Sequence, residues 1–199
     1  MGKAKDVSRI VPLDPEHATG ATKRLFDDVM AKFGFVPNVF RVLGNAPVAL
    51  EGFLNFSTIL ADGTFDARVR EQIALTVAES NLCCYCLSAH TFIGGKIGLT
   101  QKDVADAIRA TASTGKTDAI LKLVRSIIVQ RGEVKDSDLQ RARAADLTDG
   151  EIVETVAHVA LNIFLNYINH VARTVVDFPQ VTPGTPESDR PAGFEPVIR

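Results

Sequence analysis

Apolar residues recur along this chain at helical spacing and almost nowhere alternate as strands require. Asp14-Pro15 reads as a cap followed by proline at the first helical position, and Leu25, Val29 and Phe33 continue at helical intervals, so a first helix is expected to start there. Gly34-Phe35-Val36-Pro37-Asn38 breaks it, and Asn38 can cap a short turn through Leu43. Asn45-Ala46-Pro47 opens a helix to about residue 60, closed by the turn Ala61-Asp62-Gly63-Thr64. From Asp66, the residues Val69, Ile73 and Val77 carry a helix to about Ser80, and another is expected over 83–97, stopping at Gly98. Thr100 with Asp103 forms a capping box for a helix to about Ala112. An amphipathic helix over 117–131 gathers Ile120, Leu123, Val124, Ile127 and Ile128 on one side, and Asp136 caps a shorter one. Thr148-Asp149-Gly150-Glu151 is a second capping box. The helix it opens could reach Val175, on the order of 40 Å at ~1.5 Å per residue. The expectation is an all-α fold.

That last helix carries Val156, Val159, Ala160, Ile163, Phe164, Tyr167, Ile168 and Val171, which leaves little polar surface and predicts burial nearly all round. Its polar residues His158, Asn162, Asn166 and Asn169 or His170 recur every three or four positions and form one stripe. The stripe is either a row of inter-helix hydrogen bonds or the lining of a cavity beside the cysteines. After Phe178 the composition turns to Pro179, Pro183, Pro186, Pro191 and Pro196 with Gly184 and Gly193, so 179–199 is expected to be a disordered tail or an arm laid on a neighbouring subunit.

Composition narrows the function classes. With 199 residues, 46% hydrophobic and 23% charged, the chain suits one soluble globular domain, expected over 1–178. The net charge of −2 lacks the basic excess of a nucleic-acid binder. Residues 155–172 carry no charge but include His158, Asn162, Asn166, Asn169 and His170, which are costly in lipid, so no membrane span is expected. Met1-Gly2-Lys3-Ala4-Lys5-Asp6 leads into no apolar run. A secretory leader is therefore not expected, and the cytoplasm, where thiols stay reduced, is the expected compartment.

That compartment matters because the three cysteines, Cys83, Cys84 and Cys86, lie within four residues and cannot build a disulfide framework. At ~100° per residue on a helix, Cys86 sits about 60° from Cys83 and His90 about 20° from it, so these three share a face while Cys84 looks elsewhere. Two thiols three apart in the first turn can close a disulfide without unwinding the backbone. The free N–H groups and partial positive charge of the helix start favour a thiolate, the form that attacks a peroxide oxygen or a disulfide. His90 can accept the thiol proton or deliver one to a departing alcohol. A carboxylate is needed to orient that imidazole; Glu71, on the preceding helix, is the candidate and Glu79 the rival. Zinc bound by Cys83, Cys84, Cys86 and His90, plain core packing, and a thioredoxin motif are the other readings. A single helix cannot aim all four side chains at one metal, and the third needs a βαβ context that is missing.

The segment Arg70-Glu71-Gln72-Ile73-Ala74-Leu75 through Asn81-Leu82-Cys83-Cys84-Tyr85-Cys86-Leu87-Ser88-Ala89-His90 resembles the AhpD-like alkylhydroperoxidases of the carboxymuconolactone decarboxylase superfamily. Their motif is Glu, eleven residues, Cys-x-x-Cys, three residues, His, and Glu71, Cys83, Cys86 and His90 match it position for position. Gly34-Phe35-Val36-Pro37-Asn38, Asn166-Tyr167-Ile168-Asn169-His170 and Asp177-Phe178-Pro179 look like the peroxidase-related branch. The resemblance implies an all-α AhpD-like fold of two related helical halves, a thiol half at about 47–112 and a degenerate half at about 117–178, assembled as trimers or hexamers. An offset of 80 residues, aligning Glu71 with Glu151 and His90 with His170, is a faint trace of such a repeat.

The resemblance also implies reduction of hydrogen peroxide or small organic hydroperoxides, with no cofactor or metal. Cys86 would attack, Cys83 resolve, and Glu71 and His90 relay protons, with a thioredoxin-like or lipoyl dithiol as reductant. Tyr85 stands where AhpD carries a histidine, and Cys84 is an extra thiol. A lactone decarboxylase or hydrolase of the wider superfamily, and a non-catalytic oligomeric redox sensor, are the alternatives.

Overall fold

Local capping chemistry sets several of the helix starts. Asp66 accepts the Val69 N–H at 2.9 Å, and Thr100 with Asp103 and Thr148 with Glu151 both close reciprocal capping boxes. The computed structural model describes residues 7–184, and among these the chain is helical with no strand. The elements are α1 (Gly20–Phe33), α2 (Asn38–Leu43), α3 (Pro47–Ala61), α4 (Ala67–Ser80), α5 (Cys84–Lys96), α6 (Gln101–Ile108), α7 (Gly115–Val129), α8 (Asp136–Ala144) and α9 (Asp149–Ala172).

Three ends differ from expectation. Asp14 spends its carboxylate locally, taking the Glu16 N–H at 3.0 Å and pairing with the His17 ring at 2.9 Å, so residues 15–17 form a turn and α1 begins only at Gly20. Helix α6 stops at Ile108 because Ala110 turns left-handed (φ 56°), which lets the Thr111 N–H close back on Asp106 O at 2.9 Å. Left-handed Arg173 (φ 49°) ends α9 short of Val175 in the same way.

The helix buried nearly all round is α4. Every residue from Gln72 to Glu79 is buried, with α5, α6, α7 and α9 packed around it. Helix α9 behaves oppositely to its hydropathy. Its buried residues include Thr155, His158, Asn162, Asn166 and Asn169, whereas Val153, Val156, Phe164, Tyr167 and Val171 are exposed. The polar stripe faces inward because partners wait for it there: Asn81 Nδ2 donates to Asn166 Oδ1 at 2.9 Å, and His170 Nε2 bonds Asn81 O at 2.9 Å.

The segment after α9 returns over the start of α5. Asp177 accepts the Tyr85 hydroxyl at 2.7 Å and the Asn38 N–H at 2.7 Å, and the Phe178 ring meets Tyr85 edge-on at 5.8 Å. Asn38 therefore does not cap α2 with its side chain; its Nδ2 donates to Val175 O at 3.0 Å. Ser88 closes the strap, donating to Cys84 O and accepting the Val181 N–H at 2.9 Å. Of the proline-rich 179–199, residues 179–184 lie along α5 of the same chain, and 185–199 lie outside the described residues. No helix among the described residues is long and apolar enough to cross a membrane.

Candidate active site

Between α4 and α5 stand only Asn81, Leu82 and Cys83, and left-handed Leu82 (φ 52°) folds the chain back on itself. The reversal places two turns of α5 beside the middle of α4. His90 Nδ1 and Glu71 Oε2 thereby meet at 2.8 Å, with 19% and 17% of their side-chain surface exposed. Glu79, the rival carboxylate, is turned to the strap and accepts the Gly184 N–H at 3.0 Å.

Cys83 is the N-cap of α5, and its sulfur accepts the Cys86 N–H at 3.4 Å, the role a serine or aspartate fills at other helix starts. Both sulfurs are buried, with 1% of Cys83 and 3% of Cys86 exposed. The two sulfurs act on one another, and their acidities move apart. Cys83 is held well above an ordinary thiol, first by the neighbouring Cys86 and then by burial. Cys86 is lowered, first by the neighbouring Cys83, against the opposing effect of burial and with help from the carboxamides of Asn169 and Asn166. Cys86 is thus the more acidic of the pair, at the positive end of a thirteen-residue helix.

Burial is the largest influence on His90 and would lower its pKa; the charge and hydrogen bond of Glu71 outweigh it, and the net shift is upward. His90 acts on Cys83 through space. Among the described residues no hydrogen bond joins its ring to either sulfur, so a proton passing between them needs a small movement or a bridging water.

All four motif residues, Glu71, Cys83, Cys86 and His90, thus lie in one region, the carboxylate and imidazole at its partly open side and the sulfurs beneath. Cys84 points away, bonding Val181 O at 3.4 Å and lying 3.6 Å from Gln180 Nε2. Among the described residues no group of three or more His, Cys, Asp and Glu side chains is arranged to hold a metal.

The polar stripe of α9 divides in two. Asn169 donates its Nδ2 to the Cys86 sulfur at 3.2 Å, and Cys83 is 4.0 Å from Asn166 O. His158 sits further along, against Glu154 at 3.6 Å and the Phe65 ring at 5.8 Å, and burial lowers its pKa. Asn81 was invisible in the sequence as a site residue. Its only signal was its place between the motif glutamate and the first cysteine.

Residues 47–128 match the carboxymuconolactone decarboxylase family. Alkyl hydroperoxide reductase Rv2159c of Mycobacterium tuberculosis (strain ATCC 25618 / H37Rv) is 29% identical over 115 residues, 57% of this chain and 33% of that protein, so the chain spans about a third of this relative's length. Among solved structures, an alkylhydroperoxidase AhpD core, an uncharacterized peroxidase-related protein from Ralstonia eutropha JMP134, superposes with a TM-score of 0.75 at 24% identity, covering 87% of this chain and 94% of its own. A peroxidase-related protein from Silicibacter sp. TM1040 gives 0.73 at 20% identity over 87% and 95%. The debrominase Bmp8 gives 0.72 at 18% identity over 87% and 93%, so this fold hosts more than one chemistry. Residues 47–128 are therefore similar to the carboxymuconolactone decarboxylase family, and they are set within an all-α fold like that of the AhpD core.

Proposed function

We propose that this chain is an oxidoreductase, a thiol peroxidase that reduces hydrogen peroxide or small organic hydroperoxides by cycling Cys83 and Cys86 between dithiol and disulfide. The observation that carries this reading is the geometry of the pair: Cys83 Sγ accepts the Cys86 N–H at 3.4 Å at the start of α5, and Asn169 Nδ2 donates to Cys86 Sγ at 3.2 Å, a donor that favours a thiolate at Cys86. Cys86 thiolate attacks the terminal oxygen of R–O–O–H; an S–O bond forms, the O–O bond breaks, and the alkoxide leaves with the electron pair. Protonated His90, sustained by Glu71, supplies the proton that makes the alcohol. The now neutral imidazole takes the Cys83 proton, Cys83 attacks the Cys86 sulfenic acid, and water departs as the disulfide closes. An external dithiol, of the thioredoxin or lipoyl kind, restores both thiols by exchange. A lactone decarboxylase or hydrolase would need the acid–base pair but not this thiol–thiolate couple.

Mass spectrometry of the intact chain before and after peroxide tests the cycle. The expected result is loss of two hydrogens, assigned to a Cys83–Cys86 bridge, with steady turnover once a dithiol is added; a bridge without turnover would make the chain a sensor. Cys86→Ser should abolish peroxide consumption, and Cys83→Ser should leave one turnover and a trappable sulfenic acid. Full activity in both variants ends the reading.

Self-association is part of the same reading. Val153, Val156, Ala160, Phe164, Tyr167 and Val171 are exposed along α9 at intervals of three and four, the spacing at which a second helix interdigitates. A second copy of this chain offers the same stripe, and a two-fold contact between identical stripes is self-complementary.

A further inference from the structure

Two polar atoms beside the reacting sulfur have no hydrogen-bond partner: the Nδ2 donor of Asn166 and the Oδ1 acceptor of Asn169. Their residues are only 1% and 5% exposed, so bulk water does not compensate them. An orphaned donor or acceptor at such depth is costly, and two on neighbouring turns of one helix beside a reactive sulfur call for an explanation. The remaining halves of both carboxamides are committed. Asn166 Oδ1 is held by Asn81 Nδ2 at 2.9 Å, and Asn169 Nδ2 donates to Cys86 Sγ at 3.2 Å. These bonds fix each amide plane, so neither side chain is free to turn and satisfy its own orphan. The Asn166 carboxamide also favours the Cys86 thiolate.

We infer that Asn166 and Asn169 form a cradle for the oxygen atom transferred to Cys86, the Asn166 N–H donating to that oxygen and the Asn169 carbonyl accepting its hydrogen. Both residues touch the reacting atoms and are catalytic in that sense. The inference rests on the peroxidase reading and says how its first step is stabilised. The terminal oxygen of a hydroperoxide carries one hydrogen and free lone pairs. After S–O bond formation and O–O cleavage, the sulfenic acid Cys86–S–O–H carries the same set. One unused donor and one unused acceptor fit that oxygen on both sides of the step. Charge passes from the sulfur to the leaving oxygen, so the part of the cradle is to hold the transferred oxygen in line between them with groups that need not reorganise. An alkyl halide or a disulfide delivers carbon or sulfur, not a hydroxyl oxygen, to the thiolate, so the cradle favours peroxides over these electrophiles.

The test separates oxygen transfer from thiolate formation. In a Cys83→Ser background, where the sulfenic acid cannot be resolved, two quantities are measured for Cys86: its ionisation, by ultraviolet thiolate absorbance across pH, and its oxidation by hydrogen peroxide, by trapping the sulfenic acid and assigning it by peptide mass. Asn166→Leu keeps the branching of the side chain and removes both polar atoms; Asn166→Ala is the second variant, and circular dichroism reports the fold of each. After division by the thiolate fraction, the oxidation rate of both variants should fall about tenfold or more, the loss expected when one buried hydrogen bond that positions the reacting oxygen is removed. Asn169→Leu should lower the normalised rate and also raise the Cys86 pKa, because it removes a donor to the sulfur itself. An unchanged normalised rate in the folded Asn166 variants overturns the cradle while leaving the peroxidase reading intact. Failure of hydrogen peroxide to oxidise Cys86 in the background protein overturns both.

Discussion

Glu71 and His90, nineteen positions apart in sequence, face each other at 2.8 Å across the α4–α5 turn, each retaining less than a fifth of its side-chain exposure. Their pairing lifts the imidazole pKa above its ordinary 6.5 despite burial, so His90 keeps its proton further toward neutrality than an isolated histidine would. Glu71→Gln preserves shape and removes the charge. The His90 titration, followed by NMR, should move downward, and peroxide turnover near neutrality should fall by on the order of tenfold to a hundredfold as the proton donor is lost.

The same shift has a stability consequence with a definite sign. A histidine whose folded pKa lies above its unfolded one binds more protons when folded, so the pair stabilises the fold fully below about pH 6.5 and the contribution disappears as pH rises through the folded value. Denaturant unfolding of wild type and Glu71→Gln should differ by about 1 kcal/mol or less at about pH 6 and converge at about pH 9. A gap that widened toward alkaline pH would contradict this assignment of charge.

Cys84 is the thiol the proposed cycle does not use. Its sulfur lies against Val181 O and Gln180, on the strap side of α5. Cys84→Ser should leave the rate of the peroxide-dependent bridge unchanged within about twofold, because the hydroxyl can donate to the same carbonyl. Rapid-quench mass analysis checks it. A bridge that shifted to Cys83–Cys84 in wild type, and vanished in the variant, would mean that the strap opens during the cycle.

Tyr85 is a structural bolt between α2, α5 and the strap. Its hydroxyl donates to Asp177 and accepts the Val39 N–H at 3.2 Å, with the ring 4% exposed. Burial, and after it the Asp177 carboxylate, pushes the phenol far above its usual pKa, so it stays protonated throughout the working range and moves no proton. Tyr85→Phe strands a buried N–H and removes a donor from a carboxylate, at a cost of about 1–3 kcal/mol in denaturant unfolding. The Cys86 thiolate should still form.

What could be read in the sequence followed from short-range chemistry. Glu71, Cys83, Cys86 and His90 lie on two consecutive helices joined by a turn, so helical periodicity and one reversal suffice to bring them together. Asp66, Thr100 and Thr148 cap where their side-chain oxygens predict. Periodicity misjudged α9, because hydropathy assumes that apolar faces turn inward. Here the inward face is chosen by groups far away in the chain, Asn81 and the Cys86 sulfur, which satisfy Asn166 and Asn169. The strap was equally hidden: Asp177 meets Tyr85 and Asn38 across 92 and 139 positions, and no local pattern encodes such a contact.

The outward face of α9 gives the last prediction. Val153 is 69% exposed, Val156 47%, Tyr167 57% and Val171 63%, a continuous apolar stripe that a lone chain would leave in water. Burying it against the same stripe of a second copy removes the largest apolar liability of the helix without touching the inward asparagines. Val156→Glu with Val171→Glu places like charges opposite one another in such a contact, and both positions are exposed within one chain, so the monomer's own packing is spared. In sedimentation equilibrium the wild type should exceed the monomer mass and the double variant should approach it, with circular dichroism unchanged. Wild type sedimenting as a monomer at micromolar concentration would remove self-association from the reading, and a variant that stayed assembled would move the contact away from α9.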